Sequence, residues 1–245
     1  MNIEEGERVD EMGFGSLQLI QKPEDFCYGI DAVILADFAA RGANPGAKIA
    51  DLGTGTGAIP LILSEKIPLS ELIAVEVQPD SARRAERNVQ LNQLSHRIRV
   101  IPSDILAIPS EYFGTRDIVV SNPPYTAGGG GIQGKNRAKA IARHETTAKL
   151  RDFLQISAKL LKEKGDLYMV HRPARLVDLL FYGREAGLEA KELRMVAPAA
   201  GKSANIVLLH YVKNGGRELW TLPELQVYDE KGNYTEEIRK IYQWK

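Results

Sequence analysis

The chain has 245 residues, 44% of them apolar, and carries 32 Lys+Arg against 32 Asp+Glu. That length supplies ample material for a buried core, and ordinary apolar content with zero net charge excludes disorder for the bulk of the chain. An isoelectric point of about 6.9 excludes a globally polycationic nucleic-acid binder.

In chain order, the first predicted strand is Lys48–Leu52, which runs into Gly53-Thr54-Gly55-Thr56-Gly57. A helix follows from Ala58 to Ile67 and stops before Pro68. Leu72–Val77 is the second strand, and Asp80–Leu94 reads as a helix with Arg, Glu and Gln on one face. Arg99–Ile101 is the third strand, ending near Asp104, and Asp117–Ser121 is the fourth. A helix over Leu150–Leu161 is closed by Lys162, Lys164 and Gly165, the residue types expected at a helix end. Asp166–Val170 is the fifth strand, and a helix over Ala174–Glu185 stops at Gly187. Lys191–Val196 and Asn205–Val212 close the core.

Strands alternating with helices imply an α/β fold, with a mostly parallel seven-stranded sheet and helices on both faces. The pattern predicts a single domain over residues 1–245. Within it, 1–46 is an N-terminal extension, 47–214 the core and 215–245 a tail. Turn signals at Glu230-Lys231-Gly232-Asn233 and a short helix over Glu236–Tyr242 are expected in that tail.

The zero net charge is a cancellation. Residues 1–129 hold 11 basic and 18 acidic side chains, and residues 130–245 hold 21 and 14. Such a split suits a polyanionic partner for one half, although helix solvation produces the same pattern. The lone Cys27 excludes an intrachain disulfide and predicts a cytoplasmic chain, with Cys27 as a small buried hydrophobe. The acidic opening Met1–Glu7 lacks the order of a signal peptide. No apolar run approaches the roughly 18–20 residues of a membrane span. His96, His144, His171 and His210 are scattered, so no protein-bound metal is expected. A monomer is the default expectation.

In an open α/β sheet, ligands bind at the carboxyl ends of the strands. Asp51-Leu52-Gly53-Thr54-Gly55-Thr56-Gly57 sits at such an end, and its alternate glycines permit a tight turn and a close approach. A Walker loop needs Gly-Lys-Ser/Thr, where this chain has Gly57-Ala58-Ile59. A dinucleotide fingerprint needs G-x-G-x-x-G, where this loop is G-x-G-x-G. S-adenosylmethionine carries an amine and a sulfonium but no phosphate, and Asp51 suits it. Glu76, 25 positions on, ends the second strand and is placed for both ribose hydroxyls; Asp104 ends the third and is placed for the adenine amine. The competing reading of both acids is capping of the following helices.

The fourth strand ends in Ser121-Asn122-Pro123-Pro124-Tyr125, the most specific signal in the chain. With Asp51–Gly57, it resembles the Rossmann-like class I S-adenosylmethionine-dependent methyltransferases that modify planar amino groups. The resemblance implies that Asn122 and the Pro123 carbonyl accept the two amine hydrogens, that Pro124 stiffens the loop and that Tyr125 stacks on the target base. A conjugated amine is a poor nucleophile, and two acceptors turn its lone pair toward the methyl donor.

Residues 131–151 hold six basic side chains and one acid, next to the catalytic motif and its glycine run. Lys135, Arg137, Lys139 and Arg143 there suit a phosphate backbone, against the alternative of a solvated loop. The stretches Phe26–Ala36, Ala142–Glu145, Val170–Leu176 and Val227–Asp229 are similar to the bacterial tRNA(Val) adenine-N6 methyltransferase family. That resemblance implies tRNA as partner and an adenine beside the anticodon as target. It also implies that the N-terminal extension helps close the cofactor pocket through Tyr28, Gly29 and Asp31. Alternatives are a release-factor glutamine N5-methyltransferase, a guanine-N2 or other RNA or DNA amino-methyltransferase, and a non-catalytic RNA-binding module.

Overall fold

The computed structural model describes residues 3–25, 27–125 and 148–244. A short antiparallel hairpin, β1 (Arg8–Glu11) and β2 (Gln18–Gln21), comes first, followed by helix α1 (Ile30–Ala40). The chain then runs β3 (Lys48–Leu52), α2 (Ala58–Lys66), β4 (Glu71–Glu76), α3 (Pro79–Leu91), β5 (Ile98–Pro102) and β6 (Arg116–Ser121). Beyond residue 147 come α4 (Leu150–Leu160), β7 (Leu161–His171), α5 (Leu176–Glu185), β8 (Leu188–Ala199) and β9 (Ile206–Lys213). Two short strands, β10 (Trp220–Thr221) and β11 (Leu225–Tyr228), and helix α6 (Glu236–Ile241) complete the described chain.

Among the described residues the sheet has nine strands, not the seven expected. Its seven-strand path is β5-β4-β3-β6-β7-β9-β8, in which only β9 runs antiparallel to its neighbours. The extra two, β10 and β11, each add in parallel to β8. Two or four residues with exposed Trp220, Gln226 and Tyr228 carry too little apolar patterning to announce a strand.

Successive strand residues face opposite sides, and this alternation builds two cores. Ile49, Leu72, Ala74, Ile118, Val120 and Val170 join α1, α2, the hairpin and the tail on one face. Ala50, Leu52, Ile73, Val75, Val119 and Met169 join α4 on the other. Both faces of the central strands are covered, which is why they read as continuous apolar runs.

The N-terminal hairpin is fastened to α3 by polar groups. Asn88, fully buried, accepts from the Ile20 amide at 2.6 Å and donates to the Ile20 and Thr56 carbonyls. Glu7 bridges Arg84 at 3.0 Å and Arg87 at 2.8 Å. Burial alone would raise the Glu7 carboxyl, but Arg87, the Glu4 amide and Arg84 outweigh it and hold the group at about 2. These bonds place α3, and with it Ala85 against Gly57, directly behind the glycine loop.

Candidate active site

The register of the parallel strands aligns the proposed site residues at one edge. Leu52 pairs with Val75 on one side and with Ser121 on the other, and Ser121 pairs with Met169. Gly53, Glu76 and Asn122, which follow directly, and His171, two residues past Met169, therefore emerge at the same carboxyl edge. Ser121 ties two of these strands together, its hydroxyl donating to the Leu52 carbonyl at 2.9 Å.

Gly53, Gly55 and Gly57 all have positive φ, at 76°, 58° and 86°. Gly57 is doubly constrained, because a Cβ there would lie 3.3 Å from Ala85 Cβ. The amides of Gly53 and Thr54 both donate to the Val75 carbonyl at 2.9 Å, which folds the loop over β4. A Cβ at Gly55 would meet no described residue within 4 Å. No side chain caps α2, and its third residue is Pro60, which has no amide to satisfy.

Asp51 is fully buried, and among the described residues neither of its carboxylate oxygens has a hydrogen-bond partner. The buried Thr54 hydroxyl beside it is also unpartnered among those residues. Burial pushes the Asp51 carboxyl up to about 7, with the Glu76 charge adding to the rise; Thr54 opposes it without closing to hydrogen-bond geometry. Such a group is costly unless a cation or donor meets it.

Glu76 is nearly buried, and Oε2 accepts from the Gly55 amide at 2.8 Å while Oε1 accepts from the Gln78 amide at 2.9 Å. Burial raises its carboxyl. Each oxygen retains a second lone pair for an outside donor. Asp104 is half-buried, and its Oδ1 accepts from the Leu106 amide at 2.9 Å, capping a single 3₁₀ turn. This is the capping role that competed with the ligand role for this acid.

Asn122 is half-buried, Pro123 buried, Pro124 exposed and Tyr125 half-buried. The Tyr125 hydroxyl donates to Asn122 Oδ1 at 3.0 Å and stands 3.4 Å from Asp31 Oδ2. Burial, with Asp31 nearby, raises the phenol strongly. Arg172 lies 4.8 Å over the Tyr125 ring, and the His171 ring is 5.0 Å away at 67°. His171 is buried, accepts the Arg172 amide on Nδ1, and is pushed down to about 4, chiefly by burial and then by Arg175. It is a neutral imidazole near neutral pH.

Sequence reasoning did not place His171 and Arg172 at the site. The signal was their position at the end of a central strand, directly after the apolar run. Asp31, on α1, faces the Asn122–Tyr125 loop. Gly29 makes room for it, since a Cβ there would lie 2.6 Å from Asp31 Oδ1. Tyr28 is half-buried, and its amide donates to Gln21 Oε1 at 3.1 Å. Burial raises the Tyr28 phenol, with Asp10 on the hairpin and Tyr234 on the tail adding to it. Cys27 is half-buried, where full burial was expected. Lys135, Arg137, Lys139 and Arg143 lie outside the described residues. Among the described residues, no group of His, Cys, Asp or Glu could hold a metal ion, and no helix is long and apolar enough to cross a membrane.

The fold and this edge of buried acids, glycines and Asn-Pro-Pro-Tyr together define a class I methyltransferase. A solved structure titled a predicted O-methyltransferase from Agrobacterium tumefaciens has the same fold, with TM-score 0.71 and 19% identity over 87% of this chain and 95% of that one. A second, M. jannaschii TYW2 in complex with AdoMet, matches with TM-score 0.60 and 17% identity over 87% and 89% of the two chains. The chain belongs to the methyltransferase small domain family, whose model matches residues 31–178. It is 31% identical, over 74% of its length and 72% of the relative's, to the tRNA1(Val) (adenine(37)-N6)-methyltransferase of Porphyromonas gingivalis.

Proposed function

We propose that this chain is an S-adenosylmethionine-dependent methyltransferase acting on the exocyclic N6 amine of an adenine in tRNA, the adenine beside the anticodon of tRNA(Val). One observation carries the reading: Asp51, a buried carboxylate without a hydrogen-bond partner among the described residues, lies one strand away from Asn122 at the same sheet edge. The curated relative acts, by its name, on that nucleotide, and the neighbouring TYW2 structure holds AdoMet.

The residues present fit that cofactor. Asp51 would hold its cationic amino-acid end, Glu76 the ribose hydroxyls and Asp104 the adenine end. Gly53, Thr54, Gly55 and Gly57 would line the loop against it, with Tyr28 and Gly29 closing from the N-terminal side and Asp31 facing Tyr125. A phosphate-bearing ligand would meet two buried carboxylates instead. When bound, S-adenosylmethionine supplies an electrophilic methyl group on a sulfonium.

Asn122 Oδ1 and the Pro123 carbonyl accept the two hydrogens of the target amine. That pairing turns the nitrogen lone pair out of the ring plane and stabilises the positive charge that grows on nitrogen. No strong base is required, because the methylated ammonium is acidic. Pro123 and Pro124 stiffen the loop that aims these oxygens, and Tyr125 offers an aromatic face to the extruded base. Lys135, Arg137, Lys139 and Arg143 would meet the RNA backbone. A tRNA substrate agrees with the cytoplasmic location expected from the lone cysteine.

The reading is tested by supplying labelled S-adenosylmethionine with purified tRNA in one reaction and with peptide release factor in another. Label in tRNA supports it; label in release factor alone replaces it with the glutamine alternative.

A further inference from the structure

The Tyr125 hydroxyl faces two acceptors with one proton. Asn122 Oδ1 is 3.0 Å away and Asp31 Oδ2 is 3.4 Å away. A phenol donates a single hydrogen bond, and an ionised carboxylate can only accept. The hydrogen can face either acceptor by rotation about the C–O bond, without moving the ring. The two acceptors differ in kind. Asn122 is neutral and closer, whereas Asp31 is charged and makes the stronger bond once the distance shortens.

Asn122 Oδ1 is the atom assigned above to the target amine. While it accepts from Tyr125, part of its accepting capacity is engaged. The site therefore works best when the phenol hydrogen points elsewhere. We propose that Asp31 is a positioning residue for methyl transfer: it draws the Tyr125 hydrogen bond to itself and leaves the Asn122 oxygen to the incoming amine. The proposal rests on the amino-methyltransferase reading. No proton is transferred; the Tyr125 O–H bond is kept, and only the acceptor changes.

Three further observations fit this role. Asp31 lies in the first turn of α1, and the missing side chain of Gly29 leaves its carboxylate the space it occupies. Arg172 and His171 hold the Tyr125 ring from the β7 side, so a change at the hydroxyl does not require the ring to leave. Asp31 comes from α1, whereas Tyr125 and Asn122 follow β6, so the contact joins two separate elements at the site. Asp31 thereby serves the target side of the site rather than the cofactor side.

The test is a double-mutant cycle of Asp31→Ala and Tyr125→Phe, with Asp31→Asn as the conservative variant. The readouts are kcat, KM for the acceptor and the dissociation constant for S-adenosylmethionine. The acceptor is whichever RNA or protein the wild-type chain labels in cell extract. A wrong tRNA assignment would then change the labelled product and leave the cycle intact. Asp31→Ala should lower kcat about tenfold, the scale of one hydrogen bond to a charged group, with cofactor affinity within about twofold. Asp31→Asn, which keeps an acceptor oxygen, should restore part of that loss. In the Tyr125→Phe background, Asp31→Ala should cost less than about twofold, because no hydroxyl remains to be steered. Equal losses in both backgrounds would overturn the proposal, as would a loss of cofactor affinity that matches the loss of kcat.

Discussion

The Ser121 hydroxyl donates to the Leu52 carbonyl at 2.9 Å, and both residues are fully buried. The bond joins the last residue before the glycine loop to the last residue before Asn122. It sets the spacing between the glycine loop and the Asn122–Tyr125 loop. Ser121→Ala should cost about 1 kcal/mol, the net worth of one buried hydrogen bond. Thermal melting should show a drop of roughly 2–4 °C for a chain of this size. Turnover should fall more than cofactor affinity, because the mutation loosens the relation between two loops and leaves each loop intact.

Asp51 predicts a pH dependence with a definite sign. Its carboxyl titrates at 3.8 in the unfolded chain and at about 7 when folded. The folded chain thus holds a proton that the unfolded chain has lost over that window. The stabilising contribution of the protonated form is full below pH 3.8 and is lost as pH rises to about 7. Asp51→Asn should flatten this slope in the free protein. It should also weaken S-adenosylmethionine by about 10–100-fold, since the variant has no charge to set against the cofactor's amine. Binding of the cofactor to the wild-type chain at about pH 6 should release a proton, because a cation beside Asp51 favours its ionised form. Calorimetry in buffers of different ionisation enthalpy measures that release.

Much of this arrangement is legible in the sequence, for identifiable reasons. β3, β4 and β6 are apolar runs because both of their faces are covered, and the glycine loop and Asn-Pro-Pro-Tyr follow β3 and β6 as contiguous motifs. Other parts lack a local signature. The hairpin reads Arg-Val-Asp-Glu and Gln-Leu-Ile-Gln, too short and polar for a strand pattern. Helix α1 buries Ala32 through Ala36 on consecutive positions, so no 3.6-residue period marks one face. The expected stop at Lys162-Glu163-Lys164-Gly165 is instead the irregular first part of β7, where Lys164 takes a positive φ and the register to β6 slips. His171, Arg172 and Asp31 reach Tyr125 only through tertiary packing, which residue spacing does not encode.

The ion cluster on α3 makes the N-terminal hairpin acid-labile. Glu7 is held at about 2 against an ordinary 4.5, so its contribution is present above pH 4.5 and is lost as pH falls toward 2. Glu7→Gln should lower the melting temperature at neutral pH and flatten the acid limb of the stability curve between those values. Limited proteolysis should then cut the variant first near the hairpin.

Neutralising Lys135, Arg137 and Lys139 together should raise KM for RNA and reduce the salt dependence of binding. For every phosphate that no longer meets a cationic side chain, the slope of log K against log salt should fall by about 0.7–0.9. An unchanged slope would remove these side chains from the RNA site.

Everything proposed for this site depends on Asn122 turning an adenine amine of tRNA toward the methyl donor. The decisive measurement is the nucleoside made from labelled S-adenosylmethionine and total tRNA by the wild-type chain and by Asn122→Ala. The wild-type chain should yield labelled N6-methyladenosine. Asn122→Ala should lower that yield at least about 100-fold, the scale of removing one transition-state interaction, while the dissociation constant of the cofactor stays within about threefold. Label in any other nucleoside, or an Asn122→Ala variant that loses turnover and cofactor affinity in equal measure, would refute it.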